Sequence, residues 1–158
     1  MLGGYRFHYN SSSDIYSFDS VGTKGIVRKI VKFDRLQDDL FNVCLADLDP
    51  QTGCISDSVT TNNGDADLVL LTVASIGLHF MEKHAGSALF IQGSDAKRTR
   101  WYQMGLARNW RFIEPKFKLL GYKDENWEPF RKGTNYIAFY LEKRLNWQYG
   151  TKRSKKTR

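Results

Sequence analysis

Long apolar runs are missing from this sequence: no stretch approaches the roughly 18 apolar residues that cross a bilayer. The opening Met1-Leu-Gly-Gly-Tyr-Arg-Phe-His8 lacks the apolar segment of a secretory leader. Membrane insertion and secretion are therefore not expected. Cysteine is scarce as well. Cys44 and Cys54 flank an expected hairpin turn whose register does not set them opposite one another, so both read as reduced thiols and the expected compartment is the cytoplasm. Proline is rare, with 3 in 158 residues, and the composition is 41% hydrophobic and 14% aromatic, which excludes disorder as the general state of the chain.

Catalytic signatures are also absent. There is no Gly-x-Ser-x-Gly, no His-Glu-x-x-His and no Cys-x-x-Cys, and Asp47-Leu-Asp49 misses the spacing of a calcium loop. His8, Asp47 and Asp49 serve a nuclease only if folding gathers them. His79 and His84 lie close together without a third ligand nearby in sequence. The sequence thus assigns no catalytic residue, no metal ligand and no cofactor.

Charge is present and unevenly placed. Residues 1–94 hold 7 Lys+Arg against 11 Asp+Glu, a net of −4, whereas residues 95–158 hold 17 against 6, a net of +11. A half this basic attracts polyanions, of which nucleic acid is the commonest in cells; a solvated surface kept soluble by charge is the alternative.

The length suits one domain, taken as 1–149, followed by a basic tail at 150–158 that is expected to be disordered. Extended runs are expected at Tyr5–Tyr9, Ile15–Phe18, Ile26–Phe33 and Leu40–Leu48, the second and third joined by a turn at Gly22–Gly25. Leu40–Leu48 meets Cys54–Thr60 across Asp49-Pro-Gln-Thr-Gly53, where proline fixes one turn angle and glycine supplies a positive φ. Val69, Val73, Ile76 and Phe80 then recur at helical spacing, which predicts a helix from about 66 to 84 capped by Asp65 and stopped near Gly86. A strand at Ala88–Gln92 leads to a second helix at about 95–109, with room for a further turn to Ile113 before Pro115. Phe117–Tyr122 and Asn135–Lys143 read as strands joined by a loop carrying Trp127, Pro129 and Gly133. Read coarsely, the order is ββββαβαββ: an α+β fold with a twisted, antiparallel-rich sheet and two packed helices.

The second helix concentrates the candidate binding residues. At roughly 100° per residue, Lys97, Arg100, Arg108 and Arg111 fall within about 80° of one another, with Met104 between them and Trp101 at the edge. Tyr102, Leu106 and Ile113 take the opposite side. Four like charges on one face repel, so phosphates from outside or Glu114, Asp124 and acids of the first half must compensate. Arg98 and the tail residues Lys152, Arg153, Lys155 and Lys156 extend the candidate nucleic-acid set, and Trp101 offers either a stacking surface or half-buried core. The junction Ile91-Gln-Gly-Ser-Asp-Ala-Lys-Arg98 suggests an anion cradle of Gly93, Ser94 and Arg98 at the helix N-terminus, or ordinary capping by Ser94 or Asp95. The leading expectation is a non-catalytic module for RNA or another polyanion. A toxin–antitoxin or defence component whose basic face meets an acidic protein partner is the rival interaction reading.

Thr61-Asn-Asn-Gly-Asp65, Leu71-Thr-Val-Ala74, Gly93-Ser94 with Arg98-Thr-Arg100 and Tyr102, and Asn135-Tyr-Ile-Ala-Phe139 resemble a family of small bacterial proteins of unknown function. The likeness spans residues 5–144, with Trp101 and the tail as departures. The order of elements is also similar to the C-terminal two-thirds of the Gcn5-related acetyltransferase fold. That second resemblance implies acyl-CoA-dependent N-acyl transfer, with Asn63-Gly-Asp-Ala66 where the pyrophosphate would sit, and an acid in place of the family's preferred loop residues.

Overall fold

A computed structural model of the chain describes residues 3–53, 55–56 and 63–144. Cys54, most of its expected strand, and the tail with Lys152, Arg153, Lys155 and Lys156 lie outside the described residues. The elements are β1 (His8–Asn10), β2 (Ile15–Gly22), β3 (Gly25–Gln37), β4 (Leu40–Leu48), β5 (Ile55–Ser56), α1 (Ala66–Lys83), β6 (Ala88–Ile91), α2 (Ala96–Arg108), α3 (Trp110–Ile113), β7 (Phe117–Lys123), β8 (Asn126–Pro129) and β9 (Ala138–Lys143). The strands form one mixed, mostly antiparallel sheet in the order β1-β2-β3-β4-β6-β9-β7-β8, with β5 beside β4.

The apolar alternation decides which face is covered. Tyr16 and Phe18 of β2, Val31 of β3, Phe41 and Leu45 of β4, Leu89 of β6 and Phe117 of β7 all point to one side, where Val69, Ile76, Phe80 and Met81 of α1 and Tyr102 of α2 meet them. Leu119 and Phe139 continue that face under Leu106 and Trp110. Phe33 and Phe80 stack at 4.0 Å between ring centres. The opposite face carries its own aromatic group, Trp127 packed among Phe90, Tyr122 and Tyr140. Burial and a hydrogen bond to Glu142 push the Tyr140 hydroxyl up to about 12.

One pairing is parallel. β4 runs beside β6 from Leu40↔Ala88 to Val43↔Ile91, joined by the α1 crossover. Beyond Val43 the strands part, and β5 takes the same edge of β4 at Asp47↔Ser56 and Leu48↔Ile55. Leu45 lies in the gap between.

Two expectations need correction. The segment 126–129, expected as loop, is a strand paired with β7. Its turn places Asp124 and Glu125 at φ of 49° and 63°, a left-handed pair made without the Gly or Asn that normally announces it. The further turn expected up to Ile113 is a separate short helix, α3, after a break at Asn109, giving three helices among the described residues. The first strand is shorter than Tyr5–Tyr9, because residues 3–7 strap across α1: Tyr5 N donates to Thr72 Oγ1 at 2.7 Å. Gly4 permits that approach, since a Cβ there would overlap Thr72.

The start of α1 is held by a buried hub. Asn63, only 2% exposed, donates to the Gly25 carbonyl at 3.0 Å and accepts from Lys24 N at 2.6 Å. It thereby fastens the β2–β3 hairpin to the helix entry. Gly22 is required there, because a Cβ would overlap the Asn63 carbonyl. Asp65 does occupy the N-cap position, but its side chain makes no capping bond. Its Oδ2 instead accepts from the Ser20 hydroxyl at 2.6 Å and the Tyr5 hydroxyl at 2.5 Å.

The other end of α1 carries a polar cluster. Tyr16 shares a 2.7 Å hydrogen bond with His79 Nδ1, and His84 Nε2 stands 3.2 Å from Asp14. The Tyr9 hydroxyl, donating to Asp14 at 2.6 Å, holds that carboxyl below the usual range, helped by His84 and opposed by burial.

Two outcomes test these contacts. Asn63→Ala leaves the Gly25 carbonyl and Lys24 N–H without their partner, and urea melts should show a loss of about 2–4 kcal/mol. Tyr9→Phe should move the Asp14 midpoint up towards the ordinary aspartate range, read by carboxyl 13C NMR. Because the folded value is depressed, the stabilisation from Asp14 is complete above the unfolded pKa and disappears as pH falls through the folded one. The stability gap between wild type and Tyr9→Phe should therefore shrink below about pH 4.

Candidate functional site

The N-terminal half of α2 faces the start of α1 across a cleft of about 490 Å³. Leu45, Ala66 and Val69 form its apolar part. Lys29, Asp47, Asn63 and Asp65 line one side, and Asp95, Lys97, Arg98, Arg100, Trp101 and Met104 the other. The polar groups of the first side are satisfied internally. Lys29 Nζ bonds Asp47 Oδ1 at 2.6 Å with side-chain exposures of 7% and 13%, a buried pair that costs about 3–5 kcal/mol to break from one side. Asp65 is held by Ser20 and Tyr5 as described above.

The cations of the second side differ in kind. Arg98 is 7% exposed and donates from Nη1 to the Leu45 carbonyl at 2.9 Å, just where β4 has lost its β6 neighbour. It anchors α2 to the sheet and does not stand on the exposed face with the others. Arg108 is exposed but paired with Asp67 of α1. With both side chains more than half exposed, that pair contributes under about 1 kcal/mol. Lys97 and Arg100 are exposed and make no ion pair within 4.0 Å among the described residues. Arg111, also exposed, sits on α3 beyond the break at Asn109, so regular helical spacing does not carry it onto the α2 face. Met104 is 51% exposed between Arg100 and Arg108. Trp101 is half-buried, stacked on Tyr102 at 5.5 Å, packed against the core and lining the cleft.

The proposed anion cradle is largely turned inward. Gly93 N donates to Thr99 Oγ1 at 2.9 Å, and the Asp95 side chain caps the helix by accepting from Arg98 N at 2.8 Å. Glycine at 93 is explained by close packing, since a Cβ would meet Thr99 N at 2.5 Å. Ser94 remains exposed beside a smaller opening lined by Asn42, Cys44, Gln92 and Arg98. The nuclease candidates are not gathered into one catalytic group: Asp47 pairs with Lys29 in the cleft, Asp49 accepts from Gln51 N in its own turn, and His8 borders a separate concavity at β1. No group of three His, Cys, Asp or Glu suited to a metal ion occurs among the described residues. No described helix is long and apolar enough to cross a membrane.

Sequence reasoning missed Lys29 and Asp65 as walls of the cleft. Lys29 lies in the long strand β3, where only the pairing Lys29↔Asp47 reveals that it faces inward. Arg98→Met, which keeps bulk but deletes the donor, should lower stability by about 1–3 kcal/mol in urea melts. It should also raise hydrogen exchange across α2 more than across α1.

No curated protein and no solved structure matches the chain significantly. A family model described as a family of unknown function (DUF6934) matches residues 2–144. From the start of the strap over α1 to the end of β9, the chain belongs to that family.

Proposed function

We propose that the protein is a non-catalytic binding module for a polyanion, RNA in particular, acting through the α2 wall of the cleft. The observation that carries this reading is the pair Lys97 and Arg100, exposed beside Trp101 and Met104 without a carboxylate partner among the described residues. Arginine's planar fork suits phosphate oxygens, and a half-exposed indole next to it offers a base a stacking face. The internally satisfied carboxylates opposite limit how deeply phosphate enters, so contact falls at the rim. Arg98 then acts by holding the helix that presents the cations.

Acyl-CoA binding is the second reading. Asp65 and Ala66 place the N-terminus of α1 on the cleft, where the acetyltransferase-like order of elements would seat a pyrophosphate. The Asp65 carboxylate, fixed by Tyr5 and Ser20, stands against it.

Fluorescence anisotropy with a single-stranded RNA oligonucleotide tests the first reading. Affinity should fall steeply between about 50 and 200 mM salt, and Lys97→Ala with Arg100→Ala should weaken it by roughly tenfold or more. Asp67→Asn, which releases Arg108, should strengthen binding. Absent binding at low salt, or binding unchanged in the double variant, overturns the RNA reading. A co-purifying acidic protein displaced by the same double variant would put a protein in RNA's place. A rise in melting temperature with millimolar acetyl-CoA would favour the enzyme.

A further inference from the structure

Between α1 and the α2–α3 pair lies a second space, of about 120 Å³, whose wall is almost wholly apolar. Leu45, Leu89 and Leu141 come from the sheet, Val73 and Leu78 from α1, and Phe112 from α3. Its origin is a local shortage of side-chain volume. Ala74 and Gly77 of α1 and Gly105 of α2 all border it, and the Cβ that Gly77 lacks would stand 3.5 Å from Leu89 Cδ1. Gly105 draws the helices together at one point, where a Cβ would lie 2.8 Å from Leu70 Cδ1. On either side of such a contact, small residues on facing helices leave a gap.

Protein interiors are packed to the density of organic crystals, and an unfilled void destabilises in proportion to its volume. This space opens between the helices onto the main core: it reaches Tyr102, Met81 and Phe117 of the cluster that holds the sheet to the helices, while Val73, Ala74, Leu106 and Ile113 around it are only half-buried. Asn109 and Tyr102 are its only lining residues with polar side-chain atoms, and the Asn109 amide nitrogen is already bonded to the Gly105 carbonyl. Leu78 and Phe112 on the rim are only half-buried, so a ligand has a way in.

We infer that this space is a binding site for a small uncharged apolar group, of the size of one aromatic ring. An engineered cavity of about 150 Å³ lined by Leu, Ile and Phe stays dry and takes up benzene. The site does not depend on polyanion binding, although α2 and Leu45 border both spaces: Tyr102 and Gly105 face the cavity, Trp101 and Met104 the cleft. Charged or zwitterionic ligands are excluded, because no described cation or carboxylate borders the cavity.

Benzene and indole are the probes, added to the full chain with selective 13C labelling of Leu and Val methyl groups. Saturable shifts should appear at the Leu45, Val73, Leu89 and Leu141 methyls, with a rise in melting temperature that follows ligand concentration by mass action. Ala74→Leu fills the space from α1 and should abolish the shifts while leaving the protein at least as stable. Should that variant fail to fold, Leu78→Phe at the rim should slow or block entry instead. The inference is overturned if wild type at saturating benzene shows no methyl shift at these four residues. It is equally overturned if the shifts persist undiminished in a folded Ala74→Leu variant, which would locate the probe elsewhere.

Discussion

One buried guanidinium sets the terms for the rest of this molecule. The outer edge of β4 is paired to β6 as far as Val43 and to β5 from Asp47, and at Leu45, between the two, its carbonyl accepts from Arg98. A backbone carbonyl buried without a partner is costly, and at the point where a sheet opens no strand can supply one. A side chain must reach in from above. Arginine does so with several donors on a long apolar stem, which a lysine or glutamine would not reproduce with the same geometry. The consequence is that α2 begins where Arg98 is tethered, with Asp95 capping it from one residue outside the helix and Thr99 bonded back to Gly93.

That tether converts sequence neighbours into residues of opposite character. Lys97 and Arg100 flank Arg98 and Thr99, both buried, and so are turned outward. Across the cleft the start of α1 is equally fixed, by Asn63 bonded into the β2–β3 hairpin and by Asp65 shared between Tyr5 and Ser20. Both walls of the cleft are thus held by buried hydrogen bonds rather than by loops alone. The cleft carboxylates Asp47 and Asp65 are bonded within the chain, whereas Lys97 and Arg100 make no ion pair among the described residues.

The same helix that presents the cations closes the apolar cavity behind them. α2 thus has a charged front on the cleft, with Lys97 and Arg100, and an apolar back on the cavity, with Tyr102 and Gly105. Short helix α3 and the first residue of β7 complete the cavity wall through Phe112, Ile113 and Phe117. The break at Asn109, whose side chain donates to the Gly105 carbonyl at 2.8 Å, is what lets the chain turn down to do this.

Sequence alone determined the features that depend on local rules. Periodicity placed α1 and α2, Pro50 with Gly53 placed the turn after β4, and the residue count located the basic half. Local rules also put Lys97, Arg100 and Arg108 on one helix face, because 3.6 residues per turn is independent of context. The tertiary structure decided what those charges meet. Asp67, some forty residues away in sequence, reaches Arg108 only because two helices lie side by side, and Arg98 is buried only because β4 and β6 diverge beneath it. Likewise β8 arises from pairing with β7 through two left-handed acidic residues that carry no turn signal of their own. Burial, partnership and strand pairing are properties of residues brought together by the fold, and no window of neighbouring sequence contains both members.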